Sequence, residues 1–326
     1  MNILNIPEQH IKEVTEFLVE NQLILHPQIS PKGIPDFSNY YGRDFIMILD
    51  RNIVTKLIEL CTKGTLNDDF LLKVIGSIMF WVELNGVRIT AGIALNEYAH
   101  NLNSNLNASK ENDVFLSILD FYSPMQWLNL ALGNERGIPP IRVSDIKSYI
   151  FNIENDHYKM HYAEMLRLTY LFANKELDQT KKMIEFIKWN NDNILFCQYT
   201  LVYACLLFSK KIKQLSISEF DQVIKKCRNQ AWDLTYLSFW STLYWTDSNS
   251  NEVFLFGTMD KDLRKIFITT HDANINPFIF CFGEKKGSEI DKEYRRIIAG
   301  RIKPDITEIV LQNLIETEEE NLKQNF

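Results

Sequence analysis

Glycine is scarce in this chain, at 12 of 326 residues. The nucleotide cradles written GxGxxG and GxxxxGK[ST] need closely spaced glycines so that backbone amides can approach phosphate. Neither motif occurs, and the GxSxG elbow that exposes a serine nucleophile is missing as well. Cysteine is sparse and unpaired: Cys61, Cys197, Cys205, Cys227 and Cys281 are odd in number and form no CxxC, which fits neither a disulfide framework nor a cysteine zinc site and points to a reducing, cytoplasmic setting. Long apolar runs are wanting too. The longest uncharged stretch, 193–209, carries Gln198, Thr200 and two tyrosines and falls short of the ~20 apolar residues of a bilayer span, so it is read as a buried helix and no membrane partner is expected. The first twenty residues hold no basic segment followed by an apolar core; Pro7, Ile11, Val14, Phe17 and Leu18 predict a short amphipathic helix rather than a secretion signal.

An excess of basic charge is also absent. The formal net charge of -7 suits a polyanion binder only if positive charge is gathered locally. The candidate patches are Lys210, Lys211 and Lys213; Lys225, Lys226 and Arg228; and Arg295, Arg296, Arg301 and Lys303. A solvated helix face or end is the simpler reading of any one of them. His157 and His161 have the i, i+4 spacing of a helical metal pair, but the glutamate of HExxH is not between them, so they read as surface or interface histidines.

What is present is a large potential core, with 46% hydrophobic and 12% aromatic residues, enough for one large domain or two moderate ones. The loop from His26 to Gly42, rich in proline, leads into Phe45-Ile-Met-Ile-Leu49, an apolar run without alternation and hence a central parallel strand. Helices are predicted near 52–63, closed by Gly64, and near 68–84, closed by Asn85-Gly86. A short strand near Val87 to Ile89 then meets Thr90, a cap for a helix carrying Glu97. From about 112 to 228 the spacing is helical throughout, with starts at Ser123-Pro124, at Ser144-Asp145 and at the Ser216 to Glu219 capping box. Strand character returns at Val253 to Phe256 and again at Phe278 to Phe282, and 306–323 reads as an acidic surface helix.

Two apolar strands end in acids. Asp50-Arg51-Asn52 follows the first, and Gly257-Thr258-Met259-Asp260-Lys261-Asp262 follows Val253 to Phe256. Ligands of open parallel sheets bind beyond the carboxyl ends of the strands. Glu97 lies on a helix next to such an end, with Glu83 as its competitor, and Asp233 interrupts an otherwise apolar helix, where an unpaired carboxylate would be costly. A strand-end aspartate also serves as a helix cap, and Asp233 could stabilise a helix N-terminus through the dipole. The order Asp50-x-Asn52, Glu97, Asp233, Thr258-x-Asp260-x-Asp262 resembles the PIN-domain nuclease family over roughly residues 45 to 102 and 230 to 268.

The resemblance implies an α/β fold: a PIN-like parallel sheet flanked by helices, with a large helical insertion between the second and third acidic motifs. Its expected bounds are 1–110 with 229–305 for the discontinuous nuclease domain, 111–228 for the insertion and 306–326 for a C-terminal acidic helix. It further implies a Mg²⁺- or Mn²⁺-dependent nuclease acting on RNA or single-stranded DNA, most plausibly an endoribonuclease. Asp50, Asp233 and Asp260 would bind metal, and Glu97 would bind metal or orient the attacking water. Asp262 would assist them, Asn52 and Thr258 would position Asp50 and the loop, and Trp232 would offer a base a stacking face. Hard divalent cations require several oxygen ligands, which is why such a site gathers carboxylates. The alternatives are a catalytically silent PIN-like interaction protein, whose helical insertion binds a protein partner, and a structure-specific DNA nuclease on a related fold.

Overall fold

The computed structural model describes residues 6–28, 40, 42–143, 146–151, 155–213, 219–246 and 251–324. The helix starts expected at Ser144-Asp145 and at Ser216 lie outside them, as does much of the proline-rich loop. Two compact units form, Met1–Ile153 with Thr242–Asp260 and Glu154–Ser241 with Lys261–Phe326. The divisions expected after residues 110, 228 and 305 do not coincide with these bounds.

The first unit contains the whole sheet: β1 (Ile24–Leu25), β2 (Asp44–Leu49), β3 (Arg88–Thr90) and β4 (Glu252–Gly257), in the order β1-β4-β2-β3. β2 pairs in parallel with β4, from Asp44↔Glu252 to Leu49↔Gly257, and with β3, from Ile46↔Arg88 to Ile48↔Thr90. Its residues Met47, Ile48 and Leu49 are buried, as expected of a strand covered on both faces. The sheet is mixed rather than wholly parallel, because the short edge strand β1 runs antiparallel to β4. The coarse α/β class stands.

Around the sheet lie α1 (Glu8–Glu20), α2 (Arg51–Lys63), α3 (Asp69–Leu84), α4 (Gly92–Leu102), α5 (Asn105–Phe121) and α6 (Pro124–Leu132). The helix ends carry local signals, although the cap position of α4 falls to Ala91 and the expected Thr90 stands one residue further out, at the end of β3. Asp68 accepts from the amides of Phe70 and Leu71, the Thr90 hydroxyl accepts from the Gly92 amide at 3.3 Å, and Gly64 ends α2 at φ 82°, a conformation that penalises any residue with a Cβ. Most of α3 is buried. At Gly76 it approaches α6 so closely that a Cβ would stand 2.7 Å from the Ala131 nitrogen, so the small residue sets the helix spacing.

The second unit is helical: α7 (Asp156–Ala173), α8 (Gln179–Asn193), α9 (Gln198–Phe208), α10 (Phe220–Thr246, through Ser241), α11 (Lys261–His271), α12 (Pro277–Ala299) and α13 (Glu308–Lys323). Every residue of α9 from Tyr199 to Phe208 is buried, as its uncharged composition implies, and no described helix is long and apolar enough to cross a membrane. Phe278 to Phe282 is helix, not strand. Asn276 caps the amides of Phe278 and Ile279 and Pro277 takes the first helical position, a start signal that outweighs five apolar residues in a row. The C-terminal helix α13 is more than a surface helix, since Leu311, Ile315, Glu318 and Leu322 are buried and it packs along α7.

His161 is buried, contrary to its reading as a surface residue. Its Nδ1 lies 2.6 Å from Glu164 Oε2 and its Nε2 2.8 Å from Ser238 Oγ. Glu164 also accepts from the Thr200 hydroxyl at 2.7 Å and from the Asn190 amide at 2.8 Å. The histidine spacing therefore serves a buried polar network linking α7, α8, α9 and α10.

Candidate functional site

The chain leaves β2 toward β3 on one side of the sheet, and β4 joins β2 on the other. All three strands run parallel, so their carboxyl ends share one edge. β2 and β4 are adjacent and parallel, so the residues that follow them emerge side by side at that edge. Asp50 stands directly beyond β2, and Thr258 and Asp260 beyond β4.

These residues are hydrogen-bonded into one cluster. Asp50 caps α2, its Oδ1 accepting from the Ile53 amide at 2.8 Å, and its Oδ2 accepts from the Thr258 hydroxyl. The Thr258 oxygen accepts in turn from the Asp260 amide at 3.0 Å. Backbone bonds join the same segments: Asp50 N–H to the Gly257 carbonyl and Thr258 N–H to the Leu23 carbonyl, both at 3.0 Å. Asp50 is 2% exposed. Burial pushes its carboxyl up to about 6, with the nearby Asp260 charge adding to the rise and the Thr258, Ile53 and Met259 hydrogen bonds opposing it.

Thr258 thus positions Asp50 as expected. Asn52 is exposed on the first turn of α2, and the groups that hold the Asp50 carboxylate are the Ile53 amide and the Thr258 hydroxyl. Glu97 is half-buried on α4, which starts just past β3 and packs against α2. Its competitor Glu83 lies at the C-terminal end of α3, shortly before the chain enters β3, and therefore at the opposite edge of the sheet. There Glu83 accepts from Trp127 Nε1 at 2.6 Å, and burial raises its carboxyl to about 7.

Arg51 was not among the sequence candidates. Its guanidinium pairs with Glu111 at 2.5 Å and lies 4.0 Å from the centroid of the Tyr98 ring, so the cation adjoining Asp50 in sequence is held by α5 and α4. No sequence signal links residues sixty positions apart, and only the packing of α2 on α4 and α5 reveals the pair.

Asp233 and Asp262 belong to the second unit. Asp233 lies well inside the 27-residue α10 rather than opening a helix, which removes the dipole reading. Both acids bear on Tyr203 of α9, whose hydroxyl is held well above its ordinary range first by burial and then by the Asp233 charge, with Cys227 and Asp262 adding. Trp232 is fully buried and stacks on Tyr158 at 4.6 Å. It has no face to offer a base, because its side of α10 points into the helical core.

Among the described residues, no group of three or more His, Cys, Asp or Glu side chains is arranged to hold a metal ion. In donor type Asp50, Asp260 and Thr258 offer the oxygen that a hard divalent cation takes, while the Asp50 carboxyl already accepts from Ile53, Thr258 and Met259. Two carboxylates fall short of a full ligand set, so water and a further acid would complete it. No protein-family model matches the chain, and comparison with curated proteins and with solved structures finds no match.

Proposed function

We propose that this protein is a metal-dependent nuclease that hydrolyses phosphodiester bonds of single-stranded nucleic acid, with RNA as the favoured substrate. The observation that carries the reading is the meeting of Asp50, Thr258 and Asp260 at the carboxyl ends of the adjacent parallel strands β2 and β4. Ligands of open parallel sheets bind beyond the carboxyl ends of the strands.

In this reading Asp50 and Asp260 hold a Mg²⁺ or Mn²⁺ ion and Thr258 keeps Asp50 in register. Glu97, on the neighbouring α4, completes the ligand set or orients the attacking water. The bound ion would supply a water of lowered pKa and neutralise charge developing on the phosphoryl group. Water adds to phosphorus, the P–O3′ bond breaks, and the products are a 5′-phosphate and a 3′-hydroxyl. Asp233 and Asp262, which the resemblance also names, lie in the second unit and are tested separately.

A second reading is favoured by one observation: both Asp50 oxygens already serve as hydrogen-bond acceptors inside the protein. Under it, the acids cap and brace the fold of a catalytically silent PIN-like protein, and the helical region binds a protein partner. Cleavage of labelled single-stranded RNA and DNA, with and without chelator, separates the two. The nuclease reading expects chelator-sensitive cleavage that falls at least 100-fold in folded Asp50→Asn and Asp260→Asn variants, and at least tenfold in Glu97→Gln, Asp233→Asn and Asp262→Asn. Cleavage at the parent rate by both Asp50→Asn and Asp260→Asn removes it. Flap and duplex substrates in the same assay test the structure-specific DNA alternative.

A further inference from the structure

Of the three basic stretches in the sequence, two have their arginines engaged by the protein itself. Arg295 bonds Asp291 at 2.8 Å and Arg296 bonds Glu293 at 2.5 Å. Arg301 donates to the Ile194 carbonyl at 2.6 Å, and Arg228 faces the Tyr162 ring at 5.6 Å. The stretch following α9 differs. Lys210, Lys211 and Lys213 are exposed, and folding brings further lysines to them.

From α11, Lys265 donates its ammonium to the Lys211 carbonyl. From α8, Lys182 donates to the Phe172 carbonyl at 2.8 Å, and its pKa is lowered first by burial and then by the Lys210 charge. From α12, Lys286 shares the neighbourhood of Asp178, the cap of α8, with Lys181. Among the described residues none of Lys182, Lys210, Lys211, Lys213, Lys265 or Lys286 is ion-paired, in contrast to Lys188 of α8, which bonds Glu185 at 3.1 Å. Beside them Phe280 is 43% exposed, with the Lys211 ammonium 4.8 Å from its ring centroid.

Like charges gathered from α8, α11 and the stretch after α9 repel, and the chain as a whole carries a net charge of -7. A chain of phosphates would relieve the repulsion and release its own condensed counterions. An exposed ring among ammonium groups adds the stacking face that sequence-tolerant single-strand binders use. We propose that this surface of the second unit binds the backbone of single-stranded nucleic acid, with Phe280 stacking on a base. The proposal deepens the nuclease reading by naming a substrate-holding surface, and rests on it only for what becomes of the strand once held.

The test is fluorescence anisotropy of a labelled oligouridine of about 20 nucleotides, long enough to span a site of the usual extent, in chelator and across a salt series. The parent is expected to bind, with affinity falling as salt rises. Lys210→Gln, Lys211→Gln and Lys213→Gln combined should weaken binding at least tenfold at low salt and flatten the log–log salt slope by about 2, since each phosphate contact on a single strand contributes ~0.7. Phe280→Ala should weaken binding about tenfold and leave the slope unchanged, because stacking releases no counterions. The three lysines changed together to arginine should retain binding, and matching thermal unfolding curves establish that each variant is folded. An unaltered affinity and slope in the triple glutamine variant overturns the proposal, as does capture of the parent by phosphatidylserine vesicles with no binding to the oligonucleotide. A strand bound by the lysines but never cleaved with metal present upholds this surface and refutes the nuclease reading; cleavage indifferent to the three lysines does the reverse.

Discussion

Asp50 concentrates the chemistry of the first unit in one buried carboxyl. Its folded pKa of about 6 lies above the ordinary 3.8, so between those values the folded chain binds more protons than the unfolded one. The contribution of Asp50 to stability is therefore fully present below pH ~4 and lost as pH rises through ~6, by ~3 kcal/mol in all. About half of that loss falls below pH 5, so urea unfolding in chelator should lose ~1.5 kcal/mol more between pH 5 and pH 8 in the parent than in Asp50→Asn; equal pH slopes in the two proteins would remove the burial argument. The same carboxyl must ionise to hold a cation, so cleavage is expected to rise with pH through about 6 and level off above it. At this scale the sequence was informative for Asp50 and Thr258, because both follow apolar strands. It misled for Trp232, because helical spacing shows that aromatics share a face but not whether that face is buried.

At the scale of elements, polar residues in the helical unit hold helices together as much as they solvate them. Glu164 takes hydrogen bonds from α7, α8 and α9. In Glu164→Ala, His161, Thr200 and Asn190 lose a buried acceptor together, which should cost ~3 kcal/mol or more. Glu164→Gln retains an oxygen and should cost less. Denaturant midpoints measure both, and a loss under ~1 kcal/mol in the alanine variant would show that these donors find water or other partners. Helix limits were legible wherever a cap was chemically explicit, as at Asp68 and Gly64. The Phe278 to Phe282 run was misread because a short apolar segment satisfies strand and helix patterns alike, and the Asn276-Pro277 start decides between them.

At the scale of the whole molecule, each unit is built from separated stretches of chain. β4 comes from residues 252–257 yet lies between β1 and β2 in the sheet. A fragment ending at residue 153 therefore lacks an internal strand and leaves the long side of β2 unpaired. Expressed alone, it should show no cooperative unfolding transition and poor amide dispersion in NMR spectra. A sharp transition matching that of the full chain would mean that the sheet does not depend on β4.

The sequence alone determined the class of structure. The apolar runs at Phe45 to Leu49 and Val253 to Phe256 marked strands covered on both sides, and glycine, asparagine and aspartate at helix ends marked where helices stop and start. It also put Asp50 and Thr258 at strand ends, since side-chain periodicity is a local property of the backbone. Tertiary structure alone decided that β2 and β4, some two hundred residues apart, are neighbours, that Arg51 turns to Glu111, and that lysines of α8, α11 and the stretch after α9 come together. Those outcomes depend on long-range burial and charge, whose energies exist only once distant segments have been brought into contact.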